Sequence, residues 1–167
     1  YESDGVEKNG ESVFCYYGFR YIKVESDVTV DAKDFTAILI STSLKPTLTF
    51  KTNNEKLNRL CENVRYGQLS NFLDVPTDCP QRDERLGWTA DTQVFTKTAC
   101  YQSEAYSFYK KYVLDLLYDQ KVYYNGDFPM YSPSLKGSTG PGGAVWADAG
   151  VIVPWEVYNS FGDKKLL

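Results

Sequence analysis

The residues best suited to chemistry are concentrated between positions 78 and 91, in the segment DCPQRDERLGWTAD. Its fourteen residues hold four carboxylates, two arginines and a tryptophan. A run this polar does not suit a core strand or the buried face of a helix, and an ordinary solvent loop has little use for an aromatic ring. Carboxylates can transfer protons, and a flat indole can cover the apolar face of a pyranose. The residue types therefore fit either a sugar-cleaving site or a loop that docks two helices through arginine–carboxylate pairs.

The longer segment DCPQRDERLGWTADTQVF, at positions 78–95, closely resembles the signature of the bacterial α-L-rhamnosidases. These are inverting glycosidases whose catalytic domain is a barrel of helical hairpins. The resemblance continues in chain order at YGFRY (17–21), AVWADA (144–149) and VIVPW (151–155). A small departure is Ala90, where the family commonly has glycine.

Within the segment, Glu84 matches the family's proton donor, so the resemblance implies that it is the general acid. A physical argument agrees, because like charges favour the neutral form of a carboxyl group and three further carboxylates are near in sequence. The alternative is that Glu84 is the salt-bridge partner of Arg82 or Arg85. Asp83 and Arg85 are expected to be structural.

Further residues match family positions that line the sugar pocket: Asp78, Arg82, Trp88, Asp91 and Trp146. Ionised carboxylates only accept hydrogen bonds and so suit sugar hydroxyls, and an arginine adds a planar fork of donors. The tryptophans would form apolar walls, which suits the 6-methyl group of rhamnose. The alternatives are a first-turn helix acid for Asp91, favoured by the helix dipole, and core positions for the two tryptophans.

Other aromatic and thiol side chains are interpreted as packing residues. Trp155 lies within an apolar run and is predicted to be in the core. Tyr123, Tyr124 and Tyr131 are predicted to pack a long loop, and their alternative role is in outer sugar subsites. Cys79 has no local base that could activate it, so it is also expected to pack.

Several classes of protein are excluded by composition. The chain has no histidine, which excludes a Ser-His-Asp triad and a histidine-ligated metal within it. The four cysteines form no C-x-x-C pair, which argues against structural zinc and favours free thiols in a reducing compartment. No signal peptide is visible, which favours the cytoplasm. The net charge of −4 argues against nucleic acid, and no apolar stretch is long enough to span a membrane.

The first third of the chain has the pattern of β-structure. Residues 1–10 are polar and are expected to be a loop or a disordered end. Partial alternation and many aromatic and branched residues then predict short strands at 13–24, 28–30, 35–40 and 48–50. So few strands form the edge of a sandwich and cannot close two sheets.

After residue 50 the apolar period becomes helical. A capping box formed by Thr52 and Glu55 predicts a helix start near Asn53. The spacing predicts helices over 53–72, 89–100, 103–119 and 148–161, with Pro154 bending or starting the last one. Loops at 74–87 and 120–147 separate them, and both fit the same end of a helical barrel.

Together these patterns predict an α+β fragment. Residues 1–51 are assigned to the C-terminal strands of a β-sandwich domain, and residues 52–167 to the N-terminal part of an (α/α) six-hairpin barrel. The resemblance implies an inverting α-L-rhamnosidase that releases terminal L-rhamnose from glycosides or polysaccharides, without a metal or an organic cofactor. The family's general base is a glutamate of the second half of the barrel, so it is expected beyond Leu167.

Two alternatives stay open. One is another helical-barrel glycosidase of different sugar specificity, and the other is a non-catalytic sugar-binding module. Because inversion needs an acid and a base together, the 167-residue chain alone is expected to be inactive. Its inward helix faces, such as the stripe from 105 to 117, are expected to lack neighbours, which would favour self-association.

Overall fold

The computed structural model of the chain describes residue 6 and residues 10–12, 14–135 and 139–167. The predicted polar end at 1–10 therefore lies outside the described residues except at positions 6 and 10. The described residues form four α-helices: α1 (Glu55–Asn71), α2 (Thr89–Gln102), α3 (Tyr106–Val122) and α4 (Ala149–Phe161). A two-residue hairpin of β1 (Phe72–Leu73) and β2 (Val75–Pro76) follows α1. None of the described helices is both long and apolar enough to cross a membrane.

The four helices confirm the helical prediction, but the start of α1 differs in detail. The N-cap is Asn54, whose side chain accepts hydrogen bonds from the backbone N–H groups of Lys56 and Leu57. Thr52 instead bonds through its hydroxyl to the backbone of Asn54. The predicted capping box of Thr52 and Glu55 is therefore wrong. Asparagine is as good a cap as threonine, so the sequence pattern alone does not decide between adjacent candidates.

The core lies between α2, α3, α4 and the first residue of β1, Phe72. The predicted α3 stripe is buried at every position except Leu117, which is 37% exposed. α4 packs on both α2 and α3, and the ring of Phe72 stacks on Phe108 with centroids 4.3 Å apart. The expectation that this stripe would lack neighbours is therefore wrong. Each fully buried aliphatic or aromatic side chain contributes about 1.5–3 kcal/mol, so this stripe is a main source of stability.

The face of α4 that meets the core carries Val153 and Val157, both 0% exposed. Trp155 is 50% exposed, so its predicted core position is wrong. With 3.6 residues per turn, a residue two positions from a buried one points to the other side of the helix. Pro154 lies inside α4 and not at its start.

The N-terminal segment, residues 14–51, does not form the predicted strands. It contains a short 3₁₀ turn at Ala32–Asp34 and one isolated bridge, between Pro46 and Ser103. Many of its apolar side chains are exposed: Tyr17, Phe19, Tyr21, Ile22, Val24, Val28, Val30, Phe35, Ile38, Leu39, Ile40, Leu48 and Phe50. A strand must pair its backbone with a neighbour, and this segment meets no such partner among the described residues. The end of a β-sandwich is therefore not supported.

Candidate active site

The segment between α1 and α2 folds into what we call the acid loop, residues 78–88. Asp78 closes it, because its backbone N–H donates to the carbonyl of Leu86 at 3.1 Å and its Oδ1 accepts from the N–H of Leu86 at 3.2 Å. Arg85 makes the turn with a φ of 56°, a conformation that costs free energy in a residue other than glycine. The Asp78 side chain is 7% exposed. Asp78 therefore fixes the shape of the acid loop through its backbone and its side chain.

Glu84 lies inside the acid loop with both carboxylate oxygens occupied. Its Oε1 accepts from the indole Nε1 of Trp88 at 2.8 Å, and its Oε2 accepts from Nε of Arg82 at 2.9 Å. The Glu84 side chain is still 29% exposed. Arg82 also faces Asp78, with Nη2 and Oδ2 3.6 Å apart. The structure thus brings together four of the predicted site residues: Asp78, Arg82, Glu84 and Trp88. Arg82 is also the salt-bridge partner that the alternative interpretation gave to Glu84.

A metal is not favoured at this cluster. Asp78, Cys79 and Glu84 each offer a ligand atom within 4.8 Å of the others. Arg82 already forms ion pairs with both carboxylates, so a cation would have to compete with it. Burial raises the pKa of the Cys79 thiol, and a hydrogen bond with Asp78 raises it further, whereas a metal ligand must be a thiolate. Cys79 is buried and free, in agreement with the packing role predicted for it.

Asp91 stands in the first turn of α2 and lines a cleft beside the acid loop. Burial raises the pKa of its carboxyl, its own backbone N–H lowers it, and the charges of Asp78 and Glu84 raise it. The cleft has a volume of about 520 Å³, and Asp78 also lines it. Its other walls are Gly67, Gln68, Asn71, Phe72, Pro76, Thr77, Ala90, Thr92, Val94, Phe95, Tyr109 and Val145. An apolar floor with a few polar groups is the usual composition of a small-molecule site.

The end of the acid loop is attached to the loop between α3 and α4. The N–H of Ser132 donates to the carbonyl of Gly87, and the N–H of Thr89 donates to the carbonyl of Met130, both at 3.0 Å. A Cβ at Gly87 would overlap the carbonyl oxygen of Ser132, so only glycine permits this approach. The contact fixes residues 87–89 against residues 130–132.

This attachment also sets the indole of Trp88. Trp88 forms an isolated antiparallel bridge with Tyr131, and their ring centroids are 5.7 Å apart at an interplanar angle of 63°. Tyr131 is 3% exposed and Tyr124 is 9% exposed, as predicted for loop-packing aromatics, whereas Tyr123 is 38% exposed. Trp88 itself is half-buried, so it is neither a core residue nor a freely rotating one.

Trp146 is predicted to line the pocket, but the residue that lines the cleft is its neighbour Val145. Val145, which lines the cleft, has a φ of 77° and is held by a hydrogen bond from the Gln93 side chain to its carbonyl. The N–H of Val145 donates to Asp148 at 3.0 Å. The half-buried Trp146 has an indole N–H that finds no hydrogen-bond partner among the described residues. Trp146 itself does not line the cleft, and neither do Glu84 and Trp88.

A residue missed by the sequence analysis is Tyr112. It was predicted only as part of the apolar stripe of α3, but its hydroxyl donates to the carbonyl of Gly87 at 2.9 Å and accepts from Thr92 at 3.4 Å. Burial raises its pKa, so the hydroxyl stays protonated and remains a donor. The available signal was a tyrosine where phenylalanine would fill the core equally well, because a buried hydroxyl needs a partner.

Comparison with known proteins identifies the family of the chain. The model of the bacterial alpha-L-rhamnosidase 6 hairpin glycosidase domain matches residues 45–167. An α-L-rhamnosidase of Streptomyces avermitilis is 42% identical over 162 residues, covering 96% of this chain and 15% of the relative. One of Alteromonas sp. is 36% identical over 157 residues, covering 92% of this chain and 17% of the relative. The chain thus spans less than a fifth of the length of these relatives.

Solved structures give the same result. The crystal structure of the α-L-rhamnosidase from Aspergillus terreus matches with a TM-score of 0.77 at 36% identity, covering 84% of this chain and 16% of that one. That of the Streptomyces avermitilis α-L-rhamnosidase complexed with L-rhamnose matches with a TM-score of 0.71 at 46% identity, covering 75% of this chain and 12% of that one. The helical arrangement described above is therefore shared with solved α-L-rhamnosidases.

Proposed function

Because the chain belongs to the bacterial α-L-rhamnosidases with a six-hairpin glycosidase domain, we propose that it carries the acid side of the active site of an inverting α-L-rhamnosidase. The observation that supports this best is the placement of Glu84, which is partly exposed and oriented by both Trp88 and Arg82. The substrate is a rhamnose-containing glycoside or polysaccharide, and the full-length protein releases its terminal L-rhamnose.

The acid role places a requirement on Arg82. A general acid donates its proton from one carboxyl oxygen to the glycosidic oxygen, so that oxygen must be free to turn toward the sugar. Both oxygens of Glu84 are occupied, Oε1 by Trp88 and Oε2 by Arg82, and Arg82, whose side chain is the more exposed, is the partner that can move aside. An alternative acceptor is Oδ2 of Asp78, 3.6 Å from the guanidinium. Once the proton has passed to the glycosidic oxygen, Arg82 can return and stabilise the carboxylate.

Asp78 is not a suitable base for the same reaction. An inverting site needs its two carboxyl groups roughly 6.5–9.5 Å apart so that a water fits between the sugar and the base. Oxygens of Asp78 and Glu84 lie within 4.8 Å of each other, which is too close. The proposed base is a glutamate from the second half of the barrel, outside residues 1–167. Residues 52–167 are accordingly the proposed N-terminal part of the barrel.

The remaining site residues are proposed to bind the sugar. Asp91 and Asp78 face the cleft and can accept hydrogen bonds from adjacent hydroxyls. The half-buried indole of Trp88 presents an apolar surface beside the acid, which suits the 6-methyl group. Trp146, which follows the cleft-lining Val145 in the chain, is the second proposed wall.

The test is Glu84→Gln in the full-length protein. We expect turnover of rhamnosides with poor leaving groups to fall by about 10²–10⁴-fold, because these need protonation of the leaving oxygen. Activated aryl rhamnosides should be much less affected, and L-rhamnose binding, measured by calorimetry, should be nearly unchanged. Asp83→Asn is the matched control, since it removes a charge from the exposed part of the same loop. Wild-type turnover by Glu84→Gln would show that another residue is the acid.

A second candidate function is a non-catalytic sugar-binding module. The observation in its favour is that both oxygens of Glu84 are paired, as in a structural ion pair. In that case the full-length protein binds L-rhamnose but does not hydrolyse any rhamnoside. Within the enzymatic proposal, the 167-residue chain alone should show no turnover of an activated aryl rhamnoside. Turnover with inversion by this chain would mean that its base lies within residues 1–167.

A further inference from the structure

A carboxylate in the core has no role in the site as described so far. Asp119 stands in the last turns of α3 and is 1% exposed. Its Oδ2 accepts from the hydroxyl of Ser132 at 2.6 Å and from the N–H of Ser134 at 2.9 Å. No lysine or arginine among the described residues forms a salt bridge with it. A buried charge held only by neutral donors is costly, so a packing role alone does not account for an aspartate here.

The partners of Asp119 lead directly to the acid loop. Ser132, which is 0% exposed, donates its N–H to the carbonyl of Gly87 at 3.0 Å. The preceding residue, Tyr131, forms the bridge and the ring contact with Trp88. The indole of Trp88 in turn donates to Glu84 at 2.8 Å. Every step from Asp119 to Glu84 is thus a bond along the chain or a short contact between groups that are at least half-buried.

We propose that Asp119 is a positioning residue for Glu84. By holding Ser132, it fixes residues 130–132 against residues 87–89 and so sets the orientation of the Trp88 indole that holds the acid. This proposal rests on the proposed function of Glu84. Charge-assisted hydrogen bonds are shorter and stronger than neutral ones, which explains why a carboxylate serves better here than an amide or a hydroxyl.

The other end of α3 provides a matched control. There the hydroxyl of Tyr106, the first residue of the helix, donates to Asp163 at 2.5 Å. This is again a hydroxyl on a carboxylate, but its contacts lead to the C-terminal turn and not to the acid loop. At about 1.5 Å per residue, Tyr106 and Asp119, the two α3 residues that form these bonds, lie roughly 20 Å apart along the helix. Asp163→Asn therefore removes a similar bond without touching the path to Glu84.

The kinetic test uses Ser132→Ala and Asp119→Asn in the full-length protein. Misplacing an acid slows substrates with poor leaving groups most, so we expect kcat on such a rhamnoside to fall at least about tenfold in both variants. On an activated aryl rhamnoside kcat should change by less than about threefold, and KM should be little changed for either substrate. Asp163→Asn should leave the ratio of the two rates at its wild-type value. If both variants slow the two substrates equally, the positioning proposal is wrong.

The second readout does not depend on catalysis. In protein labelled with 5-fluorotryptophan, the ¹⁹F resonance of Trp88 is the one that disappears in Trp88→Phe. We expect Ser132→Ala and Asp119→Asn to shift or broaden it, and Asp163→Asn to leave it in place. Ser132→Ala removes a single hydroxyl, so it tests the path even if Asp119→Asn does not fold. A Trp88 resonance unmoved in Ser132→Ala would overturn the proposal.

The two readouts also separate this proposal from the proposed function. If the wild-type protein hydrolyses no rhamnoside, or if Glu84→Gln retains turnover, the proposed function fails while the ¹⁹F experiment still reports whether Asp119 sets Trp88. If Glu84→Gln behaves as expected but Ser132→Ala keeps both the rate ratio and the resonance, the function stands and the positioning role is rejected.

Discussion

The N-terminal segment, residues 14–51, and the helical part of this chain differ in whether their apolar side chains are buried. Both have a clear apolar pattern in the sequence. In α3 and α4 the patterned residues are buried, and Tyr109, Tyr112 and Val157 are 0% exposed. In the N-terminal segment the patterned residues are exposed, as for Ile38 at 60% and Leu39 at 77%. An apolar pattern therefore predicts which face a segment would bury, but not that it finds something to bury it against.

The difference follows from where each element obtains its backbone hydrogen bonds. A helix forms them within itself, so a single amphipathic helix needs only a packing surface. A strand forms them with another strand, so its existence depends on residues distant in sequence. The helical part supplies its own surface because α4 returns to cover α2 and α3. The described N-terminal segment is bonded to the helical part mainly near its end, as where the N–H of Thr47 donates to the carbonyl of Gln102 at 3.0 Å. Before that its contacts are isolated, such as the N–H of Gly18 on the carbonyl of Pro80 at 3.1 Å.

The largest effect that would test this comparison is a cavity in the helical core. Leu116→Ala, at a side chain 1% exposed, should lower the free energy of unfolding by about 2–5 kcal/mol. Ile38→Ala, in the N-terminal segment, should change it by less than about 0.5 kcal/mol because the side chain is exposed. Chemical denaturation of the two variants measures both. If Ile38→Ala lowered the free energy of unfolding as much as Leu116→Ala, the N-terminal segment would be packed in a sheet, as the sequence predicted. The two regions would then not differ in burial.

The same contrast explains how much of the fold could be predicted. The helical spacing predicted all four helices, because it reflects local geometry. It failed at Trp155, where an apolar run was taken as core although the buried face passes through Val153 and Val157. It also failed at the cap of α1, because Thr52 and Asn54 are both good caps. The strands could not be settled, since their partners are not encoded in the segment itself.

The residues of the candidate site could be predicted from the sequence, but the attachment of its loop to residues 130–132 could not. The segment signature predicted that Glu84, Arg82, Trp88 and Asp78 would lie together, and the structure brings them together through short contacts. The salt bridge raised as an alternative for Glu84 is present as well, and the catalytic role of Glu84 stays a prediction. The attachment to residues 130–132 was not predictable, because the donor and acceptor there are backbone groups that carry no side-chain signal.

A smaller effect that sharpens the comparison comes from two glycines that approach backbone carbonyls. A Cβ at Gly87 would overlap the carbonyl oxygen of Ser132, and a Cβ at Gly18 would lie 2.8 Å from that of Pro80. Gly87→Ala should lower the free energy of unfolding by about 1–3 kcal/mol, because both sides are held by the helical part. Gly18→Ala should cost less than about 0.5 kcal/mol, because the N-terminal segment can move away.

Denaturation curves measure both glycine variants, and limited proteolysis within residues 14–51 gives an independent reading. Gly18→Ala should increase cleavage there without changing the midpoint of unfolding, whereas Gly87→Ala should lower the midpoint. Equal losses of stability would show that the N-terminal segment is held as firmly as the helical part.

The smallest effect concerns two aspartates in different surroundings within the helical part and its C-terminal turn. Burial raises the pKa of Asp91 above the ordinary value of 3.8, and Asp78 and Glu84 raise it further. The Tyr106 hydroxyl lowers the pKa of Asp163 below the same value, with help from the backbone N–H of Lys165. Asp91 therefore contributes stability that is present below pH 3.8 and is lost as the pH rises through its raised pKa. Asp163 contributes stability that is present above pH 3.8 and is lost as the pH falls through its lowered pKa.

The two corresponding asparagine variants should therefore have opposite signs. Near neutral pH, Asp91→Asn should be more stable than wild type, because it removes a charge that the cleft disfavours, and Asp163→Asn should be less stable. The Asp91→Asn difference should shrink as the pH falls below 3.8, where that carboxyl is protonated in the folded and the unfolded chain. The Asp163→Asn difference should shrink only at lower pH, as the pH falls through the lowered pKa of Asp163. Thermal melting from pH 3 to pH 7 measures both. A gain for Asp91→Asn that persists unchanged at pH 3 would have to come from packing, and a loss at neutral pH would mean that the charge of Asp91 at the start of α2 stabilises the helix more than the cleft opposes it. In that second case the cleft would not destabilise the charge of Asp91, and we would interpret the carboxylates of the cleft as structural, like the ion pairs of the acid loop.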